Sequence, residues 1–373
     1  MLTRLALVAV LTATGAALPG AEAPAQALTD APTTVAQVAA VGTYVRAALP
    51  ALPAADAAAE DVTVTELDVV VPSVDASGEV METPDLAAAQ AEEDVIATDE
   101  VVADRVLTEV VEAGDFQTVG VTWPADAEVG DPEIEVRTRA EGEWSAWVPV
   151  EAGGTAPDPG TADAGSALRS GTDSLWVGDA DAVQLSFPAS AEGGPADMAL
   201  TLVDVPAVDT AAAQVSGVIR AENAVFWAGR TGRTTASVLS TALMGTEPTG
   251  VGVPVAAPAL TVITREQWGA RAQVCTPDVA TTNGLIGAVV HHTAGSNTYS
   301  TVAQAMQQIR GDQAYHIDGR GWCDIGYNFV VDKWGNIYEG RENSLNRAVI
   351  GTHSGGFNTG TVGVALLGTY DDL

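Results

Sequence analysis

Between Leu285 and Thr369 lie all four histidines of the chain, His291, His292, His316 and His353, and one of its two cysteines, Cys323. An imidazole can carry a proton or ligate a metal near neutral pH, so these positions hold the acid–base and metal chemistry open to the sequence. His291 and His292 end the run Leu285-Ile286-Gly287-Ala288-Val289-Val290, whose β-branched residues favour a buried strand, and Gly295 stops it. Successive strand side chains point to opposite faces, so one of the two adjacent imidazoles faces a given site and the other does not. Tyr327 adds a phenol in Gly326-Tyr327-Asn328, and His353 stands in the glycine-rich loop Gly351-Thr352-His353-Ser354-Gly355-Gly356-Phe357-Asn358.

The elements that must position these groups follow in order. Thr301 to Ile309 has Val302, Ala305, Met306 and Ile309 on one stripe, the spacing of a helix. Gly321-Trp322-Cys323-Asp324-Ile325-Gly326-Tyr327-Asn328-Phe329-Val330-Val331-Asp332 alternates in its second half as a strand. It turns through Lys333-Trp334-Gly335-Asn336 into Ile337-Tyr338-Glu339-Gly340-Arg341, which predicts a hairpin. A last strand is predicted over Thr361-Val362-Gly363-Val364-Ala365-Leu366-Leu367-Gly368. Strand, helix, hairpin and strand make a mixed α/β domain.

The strings HHTAG, GWCDIGYNF, DKWGNIYEGR, GTHSGGFN and TVGVALLG, in this order and spacing, resemble the peptidoglycan recognition proteins, or type-2 N-acetylmuramoyl-L-alanine amidases. The resemblance covers about residues 262–373. It implies a zinc hydrolase that cuts the amide between muramic acid and the first L-alanine of the peptidoglycan stem peptide. His291 is then a zinc ligand, and His292, on the opposite face, a packing or supporting residue. Tyr327 matches the tyrosine beside the metal, where its hydroxyl can hydrogen-bond the attacking water or the developing oxyanion. His353 matches a histidine of the substrate groove. Phe357 and Asn358 touch glycan or stem peptide or pack the loop, and His316 is structural or at the groove rim. The resemblance places the other ligands, a His and a Cys or Asp, after the last strand. They are therefore expected beyond Leu373, and this chain alone is expected to be inactive or barely active. The alternative is a non-catalytic module that binds peptidoglycan through the same groove.

The rest of the chain sets bounds. Net charge is −33, from 49 acidic and 16 basic residues, and residues 260–373 hold only 10 acids and 7 bases. Such a field opposes binding to nucleic acid, which requires neutralising phosphates. Arg4, the apolar Leu5–Leu18 and the small residues near Ala23–Ala27 form a signal peptide over 1–27, so the protein is expected to be secreted or in the cell wall. No later segment is apolar and long enough to span a bilayer. In an exported chain Cys275 and Cys323 favour one disulfide, with Cys323 as a zinc ligand the rival reading.

Residues 28–60 form an Ala/Pro-rich leader and 207–260 a linker in which Val218 to Ala228 and Ala236 to Leu243 are possible short helices. Over 61–206, short alternating runs separated by Gly, Pro and Asp predict an all-β, sandwich-like accessory domain, with part of Glu82–Glu112 at helical spacing. Trp123, Trp144, Trp147 and Trp176 read as core packing or as a carbohydrate platform. Regular alternation would put Trp144 and Trp147 on opposite faces. The expected architecture is thus a multidomain chain: signal, leader, β-sandwich, linker and an α/β amidase-type domain from 261.

Overall fold

The computed structural model describes residues 62–207, 217–218 and 261–370, with gaps at 76–78, 82–94, 97, 103, 128, 130–131, 153, 191–192 and 281–283. The expected signal peptide, the leader and the helices of 207–260 lie outside the described residues. Among the described residues, eleven strands form the accessory domain: β1 (Thr63–Val69), β2 (Val95–Ile96), β3 (Thr98–Val102), β4 (Arg105–Thr108), β5 (Val111–Pro124), β6 (Glu135–Ala140), β7 (Glu143–Trp144), β8 (Val148–Pro149), β9 (Arg169–Gly171), β10 (Leu175–Pro188) and β11 (Met198–Asp204). A five-residue helix, α1 (Ala162–Ser166), precedes β9 and is capped by the Thr161 side chain, which accepts from the Ala164 N–H.

Antiparallel β1, β11, β5 and β10 lie side by side, and β10 leaves β5 to continue between β6 and β4. Its ladder with β5 is irregular between Trp176 and Ala182 and runs to Val183. Alternating side chains such as Val119, Val121, Leu185, Leu200 and Leu202 fill one core with Phe116, Trp123 and Ile134. From Val95 the acidic stretch is strand rather than helix, because β3 and β4 pair as an antiparallel ladder. Nor do Trp144 and Trp147 take opposite faces. The strand breaks after Trp144, and both indoles pack on the Arg137 guanidinium, at 4.8 and 4.7 Å from its central carbon.

Among the described residues, the C-terminal domain has a six-stranded mixed sheet in the order β12-β13-β16-β15-β17-β14, from β12 (Gly217–Val218), β13 (Thr261–Ile263), β14 (Gly287–His292), β15 (Phe329–Val331), β16 (Ile337–Glu339) and β17 (Thr361–Leu366). A short helix, α2 (Arg265–Trp268), opens with a capping box between Thr264 and Gln267. The long helix α3 (Val302–Ala314) runs on into a π-helical turn, Tyr315–Gly319.

Helix α3 outruns the predicted Thr301–Ile309, and both of its sides are covered. Ala305, Met306 and Ile309 share a core with Val330, Tyr338 and Ala365 of the mixed sheet and with Tyr327 just before β15. On the opposite side Gln307 and Arg310 donate to the carbonyls of Val205 and Pro206, and Ser174 Oγ donates to Asp312 Oδ1 at 2.7 Å. Ala314 and Tyr315 join Val203 and Val205 in a shared apolar cluster. A methyl at Gly120 of β5 would overlap the Tyr315 ring, so this close approach requires glycine there.

A buried ion pair joins the same two domains. Arg341, with no exposed side-chain surface, grips Asp163 of α1 with two bonds of 2.8 Å and donates as well to the carbonyls of Ile325 and Ile350. A charge pair this deep is tolerable only because its remaining donors are also satisfied.

Candidate functional site

Strand β14 lies at the sheet edge in parallel register with β17, which pairs His291 with Ala365. The face shared by Gly363, Ala365 and Val330 is the one α3 covers, and His291 projects from it at the strand's end. His353 enters from the 351–359 loop, and its ring lies over Gly363, where any side chain would collide with it. The two imidazoles meet there: His291 Nε2 and His353 Nδ1 are 3.0 Å apart, with the ring planes edge to face. Tyr327, 3 % exposed, stands with its ring centre 5.8 Å from that of His291. His291, His353 and Tyr327 thus converge as the sequence pattern requires.

Burial governs the protonation of this cluster. It lowers the pKa of His291, with the neighbouring His292 adding to the effect. It pushes His353 down to about 3, helped by His291 and Arg341 and opposed by Asp158. His353 is therefore neutral at pH 7, and across the 3.0 Å contact one ring donates while the other accepts. Burial also raises the Tyr327 hydroxyl well above its ordinary value, with Asp173 and Asp312 acting in the same direction, so it stays a phenol able to donate.

A neutral imidazole is the form that ligates zinc, and the buried His353 Nε2 has no hydrogen-bond partner among the described residues. Catalytic zinc takes three protein ligands and an open position. No group of three or more His, Cys, Asp or Glu placed to hold a metal exists among the described residues. Two imidazoles do not make such a site, so the described residues do not by themselves fit a catalytic zinc. Cys323 is disulfide-bonded to Cys275, which removes it as a thiolate ligand.

The other candidates separate. His292 points away from His291. Its Nδ1 accepts from the Tyr370 N–H at 3.0 Å, and its Nε2 lies 3.7 Å from a Glu151 carboxylate oxygen. Phe357 is 74 % exposed at the loop tip, free to touch a ligand. His316 is not at an open rim: it is buried, stacked on Trp322 with centroids 4.7 Å apart, and it accepts from the Gly326 N–H. Asn358 is likewise buried, and its side chain is fully used. Its Oδ1 accepts from the N–H groups of His353 and Ser354, while its Nδ2 donates to Asp158 and to the Ala156 carbonyl. In this conformation it organises the loop rather than meeting a ligand.

Several residues that shape the site carried no local signal. Asn328 takes the Gly363 N–H on its Oδ1 and donates to Val349 and Ser344, fixing β15 against β17 and the loop that brings His353. Arg320 spreads its guanidinium over the carbonyls of Arg169, Thr172 and Thr155 while lying 4.5 Å from the Trp322 ring centre. Asp158 and Asp163 reach the site from the accessory domain. Their partners are between 160 and 201 residues away, and no sequence spacing reveals them. A cleft of about 310 Å³ opens beside the loop after His292, walled by Val136, Leu175, Trp176, Gly295, Ser296 and Thr369.

Residues 283–373 match the family model described as N-acetylmuramoyl-L-alanine amidase. The C-terminal domain belongs to that family. Residues 72–217 match a second model, the Rv3811 N-terminal galactose-binding domain-like family, so the amidase-family domain follows a galactose-binding-like one. Peptidoglycan-recognition protein SC2 of Drosophila melanogaster is 42 % identical over 112 residues, which are 30 % of this chain and 57 % of that protein. Peptidoglycan recognition protein 1 of Bos taurus is 37 % identical over 110 residues, 29 % of this chain and 54 % of its own. The chain spans little more than half the length of these relatives. Among solved structures, Drosophila PGRP-LB is 30 % identical over 30 % of this chain and 62 % of its own, with a TM-score of 0.26. No helix among the described residues is long and apolar enough to cross a membrane.

Proposed function

We propose that the protein is an exported N-acetylmuramoyl-L-alanine amidase, hydrolysing the amide between muramic acid and L-alanine of peptidoglycan, with its reaction centre at His291, His353 and Tyr327. The observation that carries this reading is the convergence of those three side chains at the end of β14, where burial holds both imidazoles in their neutral direction and the phenol protonated. In the proposed reaction the Tyr327 hydroxyl hydrogen-bonds the oxygen on which charge develops, while His353 orients His291 through their shared contact. Zinc, which when bound lowers the pKa of its water toward neutrality, would take His291 as one ligand and need others beyond the described residues. The family relationship of the domain and the peptidoglycan recognition named for its relatives support the substrate class.

One observation favours a second reading, recognition without cutting. The described residues converge as a pair of imidazoles and not as a three-ligand set. Purified peptidoglycan incubated with the protein distinguishes the two by labelling newly exposed L-alanine amino groups. Hydrolysis that disappears in His291→Ala supports the amidase. Saturable binding with no new amino group, in the presence of added zinc, replaces it with the recognition module.

A further inference from the structure

The loop that carries His353, Phe357 and Asn358 is already occupied, by a segment of the accessory domain. Residues Gly154-Thr155-Ala156-Pro157-Asp158 lie along it, and three successive carbonyls are used. The Gly154 carbonyl accepts from the Gly355 N–H at 3.4 Å, Thr155 from Arg320 Nη2 at 3.0 Å and Ala156 from Asn358 Nδ2 at 2.8 Å. The Asp158 carboxylate then closes the run with four donors. Its Oδ1 accepts from the Asn358 N–H at 3.0 Å and Asn358 Nδ2 at 2.9 Å; its Oδ2 accepts from the Thr359 N–H at 2.8 Å and Thr359 Oγ1 at 2.7 Å. Two adjacent backbone N–H groups and two side-chain donors converging on one carboxylate make an acid-binding pocket. Asp158 is 7 % exposed there, and its carboxyl stays below the usual range: burial pushes it up, but these hydrogen bonds outweigh that.

We propose that residues 154–158 are an intramolecular occupant of the ligand groove, and that the groove they fill takes a short acidic peptide whose carboxylate replaces that of Asp158. The proposal rests on the peptidoglycan reading above, in which the ligand is a stem peptide. It explains why Asn358 and His353 are buried although they stand on the loop expected to meet substrate. Each of the segment's polar contacts is of a kind an acidic peptide can reproduce: carbonyls for Gly355, Arg320 and Asn358, and a carboxylate for Asn358 and Thr359. A ligand must then displace the segment, and its apparent affinity is reduced by the fraction of chains in which the groove is closed.

The test titrates the full chain, Asp158→Ala and Asp158→Asn with muramyl dipeptide, and follows amide hydrogen exchange of residues 154–163, Asn358 and Thr359. Removing the carboxylate is expected to tighten binding tenfold or more, and a Gly-Thr-Ala-Pro-Asp peptide added in trans should compete with muramyl dipeptide in the variants. In the unmutated chain, saturating muramyl dipeptide should speed exchange over 154–163 while Asn358 and Thr359 stay protected, a result that needs no variant to fold. Equal or weaker binding by the variants, or unchanged exchange over 154–163 in the liganded parent, overturns the proposal and leaves the peptidoglycan reading standing. If neither parent nor variant binds muramyl dipeptide although exchange at Asn358 and Thr359 has accelerated in the variants, the peptidoglycan reading itself fails, and the proposal with it.

Discussion

Asp312→Asn should stabilise the protein, and by an amount that grows with pH. The carboxyl sits on α3 with no exposed surface, at the junction of the two domains. Its Oδ1 accepts from Ser174 Oγ at 2.7 Å, and its Oδ2 has no partner among the described residues. Burial raises its pKa from the ordinary 3.8 to about 7; the Ser174 hydrogen bond opposes this, and the nearby Asp173 adds to it. A carboxyl whose folded pKa lies above its unfolded one holds its proton in the folded chain after the unfolded chain has released it. Folding stability is therefore lost as pH rises from about 4 to about 7 and is level above that. The gap corresponds to about 4 kcal/mol at pH 8 and about 1.5 kcal/mol at pH 5. Asparagine keeps an oxygen for Ser174 and never ionises. Urea unfolding of both proteins at the two pH values should give a gain for Asp312→Asn that is larger at pH 8 by about 2.5 kcal/mol. An equal gain at both pH values, or a net loss at pH 8, would refute the reasoning.

Asp163→Ala should destabilise the chain by about 3–5 kcal/mol, because it leaves the fully buried Arg341 guanidinium without its charge partner. Chemical unfolding should show this loss in both domains at once, and a loss confined to one would contradict their coupling through α1. Reducing the Cys275–Cys323 disulfide, which joins residues 48 apart, should cost about 4 kcal/mol on the chain-entropy account, read as a lower urea midpoint in reductant.

Where a segment has one buried face, its sequence period showed its structure. The alternation of Val62–Val71 and Phe116–Trp123 marks β1 and most of β5. The apolar run before His291 marks β14 as a strand but not as the buried one expected, because it lies at the sheet edge and Val290 is 66 % exposed. Legibility failed where a second surface intervened. The stripe of α3 ended at Ile309 because the next turn is buried without being apolar: Arg310, Gly311 and Asp312 lie against the accessory domain, and Gln313 bonds Arg271 and Asp324. Strand β10 read as two because Gly178-Asp179 interrupts the pattern at a register shift in its ladder with β5. Trp144 and Trp147 share a face through a break that alternation does not encode.

The candidate site divides along the same line. His291, Tyr327 and His353 were legible because they sit in motifs whose local structure brings them together. Asn358 belongs to one of these motifs and His316 lies just before another, yet the environment of His316 is set by Trp322 and that of Asn358 by Asp158. A motif fixes residue type and backbone shape. What covers the residue depends on contacts such as Asp158 with Thr359, across 201 positions.

The most direct test of the site is to follow the imidazole resonances of the four histidines as muramyl dipeptide is titrated into the full chain and into Asp158→Ala. Saturable shifts are expected at His291 and His353, at lower ligand concentration in the variant, with His292 unmoved because it lies on the opposite face of β14. Resonances of His291 and His353 that stay fixed in both proteins at millimolar ligand, or that move less than His292, would contradict it.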